Sequence, residues 1–87
     1  MDKTLLDDKR ILIVDDGPDV LETLEDLLSA CDVVKATNFP DAKNLLTTQY
    51  FDMAILDIMG VDGYKLLEIA NKQKVIAVML TAHALSP

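Results

Sequence analysis

The chain has 87 residues, enough for one domain around one core. Although 51% of its residues are hydrophobic, the longest apolar run, Val75 to Leu80, falls far short of the ~20 residues that cross a bilayer. The net charge of −7 argues against nucleic-acid binding through this segment, because phosphate backbones are held by Lys and Arg clusters that the sequence lacks, and such acidity suits a cation better.

The first eight residues are acidic and have no apolar core, so they read as neither signal nor transit peptide, and a cytoplasmic protein is expected. Asp7 to Arg10 leads into Ile11-Leu-Ile-Val14, a β-branched run that reads as strand one and ends at the pair Asp15-Asp16. Gly17-Pro18 breaks it. Val20, Leu24, Leu27 and Leu28 then recur at helical spacing, with Asp16 expected as N-cap and Pro18 in the first turn. The single cysteine, Cys31, has no internal disulfide partner and reads as a small core filler at the end of this helix.

Val33 to Ala36 reads as a second strand, followed by a helix capped by Thr37 or Asn38 that carries Ala42, Leu45 and Leu46. Tyr50 to Asp57 reads as strand three, and after a loop Asp62 or Gly63 opens a helix with Leu66, Leu67 and Ala70 on one face. Val75 to Leu80 reads as strand four, ending at Thr81. Phe39 and Phe51 are expected in the core, and Met53, Met59 and Met79 in core or loop packing. Four strands alternating with three helices predict an α/β fold, a doubly wound parallel sheet of flavodoxin-like type. Ser86-Pro87 is the punctuation that starts a helix, which predicts a single domain spanning residues 1–87 that is incomplete, its last strand and helices missing.

In that topology Asp15, Asp16, Asp57 and Thr81 all fall at carboxyl ends of strands, where open α/β sheets bind ligands. Any one of these acids alone reads as a solvated strand end. Three together repel, by about 4 kcal/mol for two charges 4 Å apart at an effective dielectric near 20, and a divalent cation offsets that. Oxygen ligands suit Mg²⁺.

With these residues in place, the chain resembles the response-regulator receiver domain, the phosphoacceptor module of two-component signalling. Ile11-Leu-Ile-Val-Asp-Asp16 resembles the family's first strand with its acidic pair, Ile55-Leu-Asp57 the strand bearing the phosphorylated aspartate, and Met79-Leu-Thr-Ala-His-Ala84 the strand bearing the switch hydroxyl. The resemblance implies a signalling phosphoprotein rather than an enzyme, limited to self-phosphorylation and slow autodephosphorylation. It implies that Asp57 takes a phosphoryl group from a histidine kinase or phosphotransfer protein. It also implies that Mg²⁺ is held by Asp15, Asp16, Asp57 and the main-chain carbonyl of Met59, and that Thr81 turns its hydroxyl onto the phosphoryl oxygens. Ala82 beside it leaves access, and His83 reads as an exposed loop residue.

Two departures from the family carry consequences. The loop after Asp57 lacks the usual proline and reaches its glycine at Gly63, two residues early. The family's fifth strand and its phosphate-pairing lysine are absent, since none of Lys65, Lys72 or Lys74 stands in that lysine's place. Weaker phosphorylation, a poorly transmitted switch and self-association through an apolar sheet edge are expected. Two other readings remain: a receiver-like interaction module that signals without phosphate, and a Mg²⁺-dependent phosphohydrolase with Asp57 as nucleophile. The last lacks the second acid two residues on, where Met59 stands.

Overall fold

Four consecutive apolar residues, Ile11 to Val14, leave a strand no polar face, so the strand that carries them, β1 (Arg10–Val14), must be covered on both sides. All four are at most 1% exposed. The computed structural model describes residues 9–57 and 62–80. Within them, β1 is followed by α1 (Pro18–Leu27), β2 (Asp32–Ala36), α2 (Phe39–Thr48), β3 (Met53–Asp57), α3 (Gly63–Lys72) and β4 (Ile76–Leu80). The strands are all parallel, in the order β2-β1-β3-β4, so β1 and β3 lie inside and β2 and β4 form the edges.

Strand alternation divides the apolar residues between two layers. Leu12, Val14, Ala36, Ala54 and Leu56 face α2 and α3, where Ala42, Leu46, Leu66, Ala70 and the ring of Phe51 complete the larger core. Ile11 and Ile13 face the other way, against Leu21, with Leu24, Leu28 and Cys31 packed around them. Helices on both faces of a parallel sheet make the fold doubly wound, of the flavodoxin-like type the residue pattern predicts.

Several local expectations need correction. The contact face of α1 is Leu21, Leu24 and Leu28, whereas Val20 and Leu27 are 40% and 74% exposed. The three- and four-residue spacing fits either set, and the angle at which α1 meets β1 selects one. The N-cap of α1 is Gly17, not Asp16. Strand β3 begins at Met53 rather than Tyr50, because Asp52 uses its carboxylate and its amide to hold the start of β1: Arg10 N–H donates to Asp52 Oδ2 at 2.8 Å, and Asp52 N–H to the Arg10 carbonyl at 2.8 Å. Phe51 is buried before the strand starts. The Arg10 guanidinium lies 4.9 Å over its ring and reaches Asp32 and Gln49, tying β1, β2 and the end of α2 together.

The helix ends follow capping chemistry. Asn38 Oδ1 accepts the Asp41 N–H at 2.9 Å, which satisfies one of the orphan donors at the start of α2. Asn38→Ala is expected to remove about 1 kcal/mol and lower the melting temperature by roughly 4–8 °C, read by thermal denaturation. At the other end of the α3 region, Val75 N–H donates to the Ala70 carbonyl and Lys74 N–H to the Asn71 carbonyl. This pair of bonds is a Schellman motif, and it places Lys74 at φ 60°, in the left-handed region that glycine usually fills. A lysine there costs about 1 kcal/mol relative to glycine.

Candidate functional site

The acidic pair and Asp57 are placed by the two inner strands. β1 and β3 run in register from Ile11 beside Met53 to Val14 beside Leu56, so the next residues, Asp15 and Asp57, emerge side by side at the carboxyl edge. Asp15, Asp16 and Asp57 each present a carboxylate oxygen within 4.8 Å of the other two. Asp15 and Asp57 are 9% and 8% exposed, while Asp16 opens to water.

Asp15 is held by its neighbours. Its N–H extends the β1·β2 ladder to the Ala36 carbonyl at 3.1 Å, and its Oδ1 accepts the Gly17 N–H at 2.7 Å. That Asx-type turn directs the carboxylate inward. A Cβ on Gly17 would stand 3.1 Å from Asp15 Oδ1, so glycine leaves the carboxylate its room. The contribution of Gly17 is a main-chain donor. Asp-x-Gly after an apolar run is the signal by which sequence could have found it.

Burial raises the Asp15 pKa above 3.8, with Asp57 and Asp16 adding to the rise, and the Gly17 hydrogen bond opposes it. The folded state therefore holds the Asp15 proton more tightly than the unfolded chain, and folding stability falls as pH rises from 3.8 through the folded pKa. The expected result, without divalent cations, is that the native chain loses stability relative to Asp15→Asn across that window. Below 3.8 the loss disappears. Chemical denaturation at stepped pH reads the difference. The half-buried Asp52 shifts the other way, lowered mainly by the Tyr50 hydroxyl and then by the Arg10 N–H, so the subtraction is needed to isolate Asp15.

The site fits a hard divalent cation by its donor set, all carboxylate oxygen, held on two rigid strands. At such separations each pair of ionised groups repels by roughly 3–4 kcal/mol at an effective dielectric near 20, less where Asp16 meets water. Met59 and Thr81, the other two expected site residues, lie outside the described residues, as do Ala82 and His83. Among the described residues, no helix is long and apolar enough to cross a membrane.

Comparison with known proteins agrees with this geometry. The response regulator receiver domain model matches residues 11–87. Among curated proteins, the chain is 38% identical over 81 residues to the two-component response regulator ARR18 of Arabidopsis thaliana, covering 86% of this chain and 13% of that protein. It is 33% identical over 79 residues to the response regulator GtcR of Aneurinibacillus migulanus, covering 85% and 33% respectively. The chain thus spans a third or less of these two relatives. Among solved structures it resembles the response regulator TrrA of Thermotoga maritima, in complex with Mg²⁺ and BeF, with a TM-score of 0.76 and 35% identity over 85% of this chain and 70% of that one.

The chain belongs to the response regulator receiver domain family. Its general role is phosphorylation-based signalling in two-component systems, in which receivers meet histidine kinases or phosphotransfer proteins.

Proposed function

We propose that Asp57 is the phosphoacceptor of this domain, taking a phosphoryl group from the phosphohistidine of a partner kinase or phosphotransfer protein in the cytoplasm. The observation that carries the reading is the convergence of Asp15, Asp16 and Asp57 within 4.8 Å at the ends of β1 and β3. An Asp57 carboxylate oxygen forms the new O–P bond while the N–P bond to the donor imidazole breaks, and the imidazole leaves with the electron pair and takes up a proton. The product is an acyl phosphate.

Asp15 and Asp57, nearly buried on rigid strand ends, supply the positioning on which phosphoryl transfer chiefly depends. Asp15, Asp16, Asp57 and the Met59 carbonyl would hold Mg²⁺, which when bound neutralises the charge that keeps a carboxylate from an anionic phosphoryl group. The Gly17 N–H fixes the orientation of Asp15. Thr81 would meet the phosphoryl oxygens through its hydroxyl and bias the strand-four end toward the signalling conformation. In its acceptor role the domain turns over no external substrate, apart from slow loss of its own phosphoryl group.

The test is intact mass after incubation with a small-molecule phosphodonor and Mg²⁺. One phosphoryl adduct on the native chain and none on Asp57→Ala is expected. An adduct that persists in Asp57→Ala, or a folded native chain that never takes one, would overturn the assignment. The short interval from Asp57 to Gly63 favours a second reading, an interaction module independent of phosphate, under which Asp57→Ala leaves partner binding unchanged.

A further inference from the structure

We propose that Gly17 is a positioning residue that tunes the acidic cluster to a small octahedral cation such as Mg²⁺ over a larger one such as Ca²⁺, by letting its main-chain N–H occupy one oxygen of Asp15. The proposal rests on the reading that Asp15, Asp16 and Asp57 hold the cation. It concerns a residue that has no side chain with which to hold one.

The backbone gives no reason for glycine at this position. Gly17 stands at φ −99° and ψ 114°, an extended conformation open to any residue, and Pro18 after it holds the preceding residue in that region whatever its side chain. Helix capping gives no reason either. Gly17 is the N-cap of α1 and makes no side-chain hydrogen bond to the helix, where serine, aspartate or asparagine would supply an acceptor. A residue with a Cβ would also lose less backbone freedom on folding.

What glycine supplies is room beside one atom. A Cβ at position 17 would lie 3.7 Å from Val20 Cγ2, an ordinary contact, but 3.1 Å from Asp15 Oδ1, closer than such atoms normally approach. That same oxygen accepts the Gly17 N–H at 2.7 Å. A side chain here would therefore push Oδ1 off the amide that glycine lets it reach. With Oδ1 engaged, Asp15 has Oδ2 to give a cation. Mg²⁺ demands near-ideal octahedral geometry and is served by single carboxylate oxygens and waters, whereas Ca²⁺ takes more ligands and readily uses both oxygens of one carboxylate. Asp15 is itself anchored, its N–H donating to the Ala36 carbonyl, so the carboxylate has a fixed base from which the amide aims it.

Titration of the 87-residue chain with Mg²⁺ and with Ca²⁺, followed by amide NMR shifts, tests it on the native sequence and on Gly17→Ala. The variant is expected to bind Mg²⁺ roughly tenfold more weakly, the order of effect when a group that orients a metal ligand is lost, and to lose less affinity for Ca²⁺. The ratio of the two affinities therefore falls. Thermal denaturation in EDTA gives a second readout. In an Asp15→Ala background, where nothing opposes the Cβ, Gly17→Ala is expected to raise the melting temperature by roughly 2–8 °C, and with Asp15 present the rise is expected to shrink or vanish. A glycine of purely structural use would shift both backgrounds alike. Equal losses for the two ions, or no loss of either, would overturn the role of Gly17 and leave the metal reading standing. A native chain that binds no Mg²⁺ overturns that reading and this proposal with it.

Discussion

Free Mg²⁺ at about a hundred times its dissociation constant is expected to raise the melting temperature of this chain by roughly 10–20 °C. The estimate follows from linkage: a ligand bound only by the folded state adds about 2.7 kcal/mol at that concentration, and a domain of this size gains several degrees per kcal/mol. The physical source is the repulsion among Asp15, Asp16 and Asp57, which the folded chain carries and the unfolded chain does not. Asp57→Ala is expected to abolish most of the shift. Asp57→Asn, which keeps the volume and removes a charge, is expected to melt higher than the native chain when the metal is chelated. Differential scanning fluorimetry with Mg²⁺ and with EDTA reads all three. A native chain insensitive to Mg²⁺ would separate the acidic cluster from any metal.

The second large effect is expected at Phe51. Replacing this ring, 1% exposed, with alanine is expected to cost about 3–5 kcal/mol, from lost burial plus the cavity it leaves. Native domains hold only ~5–15 kcal/mol in total, so Phe51→Ala is expected to leave the chain close to unfolding at 37 °C. Phe51→Leu keeps most of the volume and is expected to retain the fold with a smaller loss. Urea denaturation of the two variants gives the comparison. The effect extends beyond packing, since the Arg10 guanidinium rests on the same ring.

The inner strands were legible because burial leaves few polar positions: Ile11 to Val14 are buried on both faces, and in β3 Ala54 and Leu56 are buried while Ile55 is partly so. The convergence of the three acids followed from the same fact, because a strand-end residue in a parallel sheet has its position fixed by register. What escaped the sequence depended on three-dimensional partners. Phe51 looked like strand, yet Asp52 next to it spends its hydrogen-bonding groups on Arg10, forty-two positions away, and delays β3 to Met53. Asp16 looked like a helix cap, yet it was Asp15 that the fold buried and supplied with a donor from Gly17. Val20 and Leu27 had helical spacing, and only the docking of α1 shows that they flank the contact face. Asn38 was legible because its partner, Asp41, lies one turn away.

The sheet order has a consequence for synthesis. β1 is made first and ends between β2 and β3, so its two sides are filled at different times. The β1-α1-β2 unit can close once Ala36 has emerged, but the other side of β1 waits for Met53 to Leu56, which at ribosomal speed is a delay of roughly 1–4 s. Through that interval the nascent chain carries an open row of amides and carbonyls along its most apolar segment. The residues translated between, Thr37 to Asp52, include five acids and amides, Asn38, Asp41, Asn44, Gln49 and Asp52, and their core members Ala42, Leu46 and Phe51 find their cover only against the sheet. The fold therefore commits late, and a pause in translation within that stretch would lengthen the time during which β1 is available to the wrong partner.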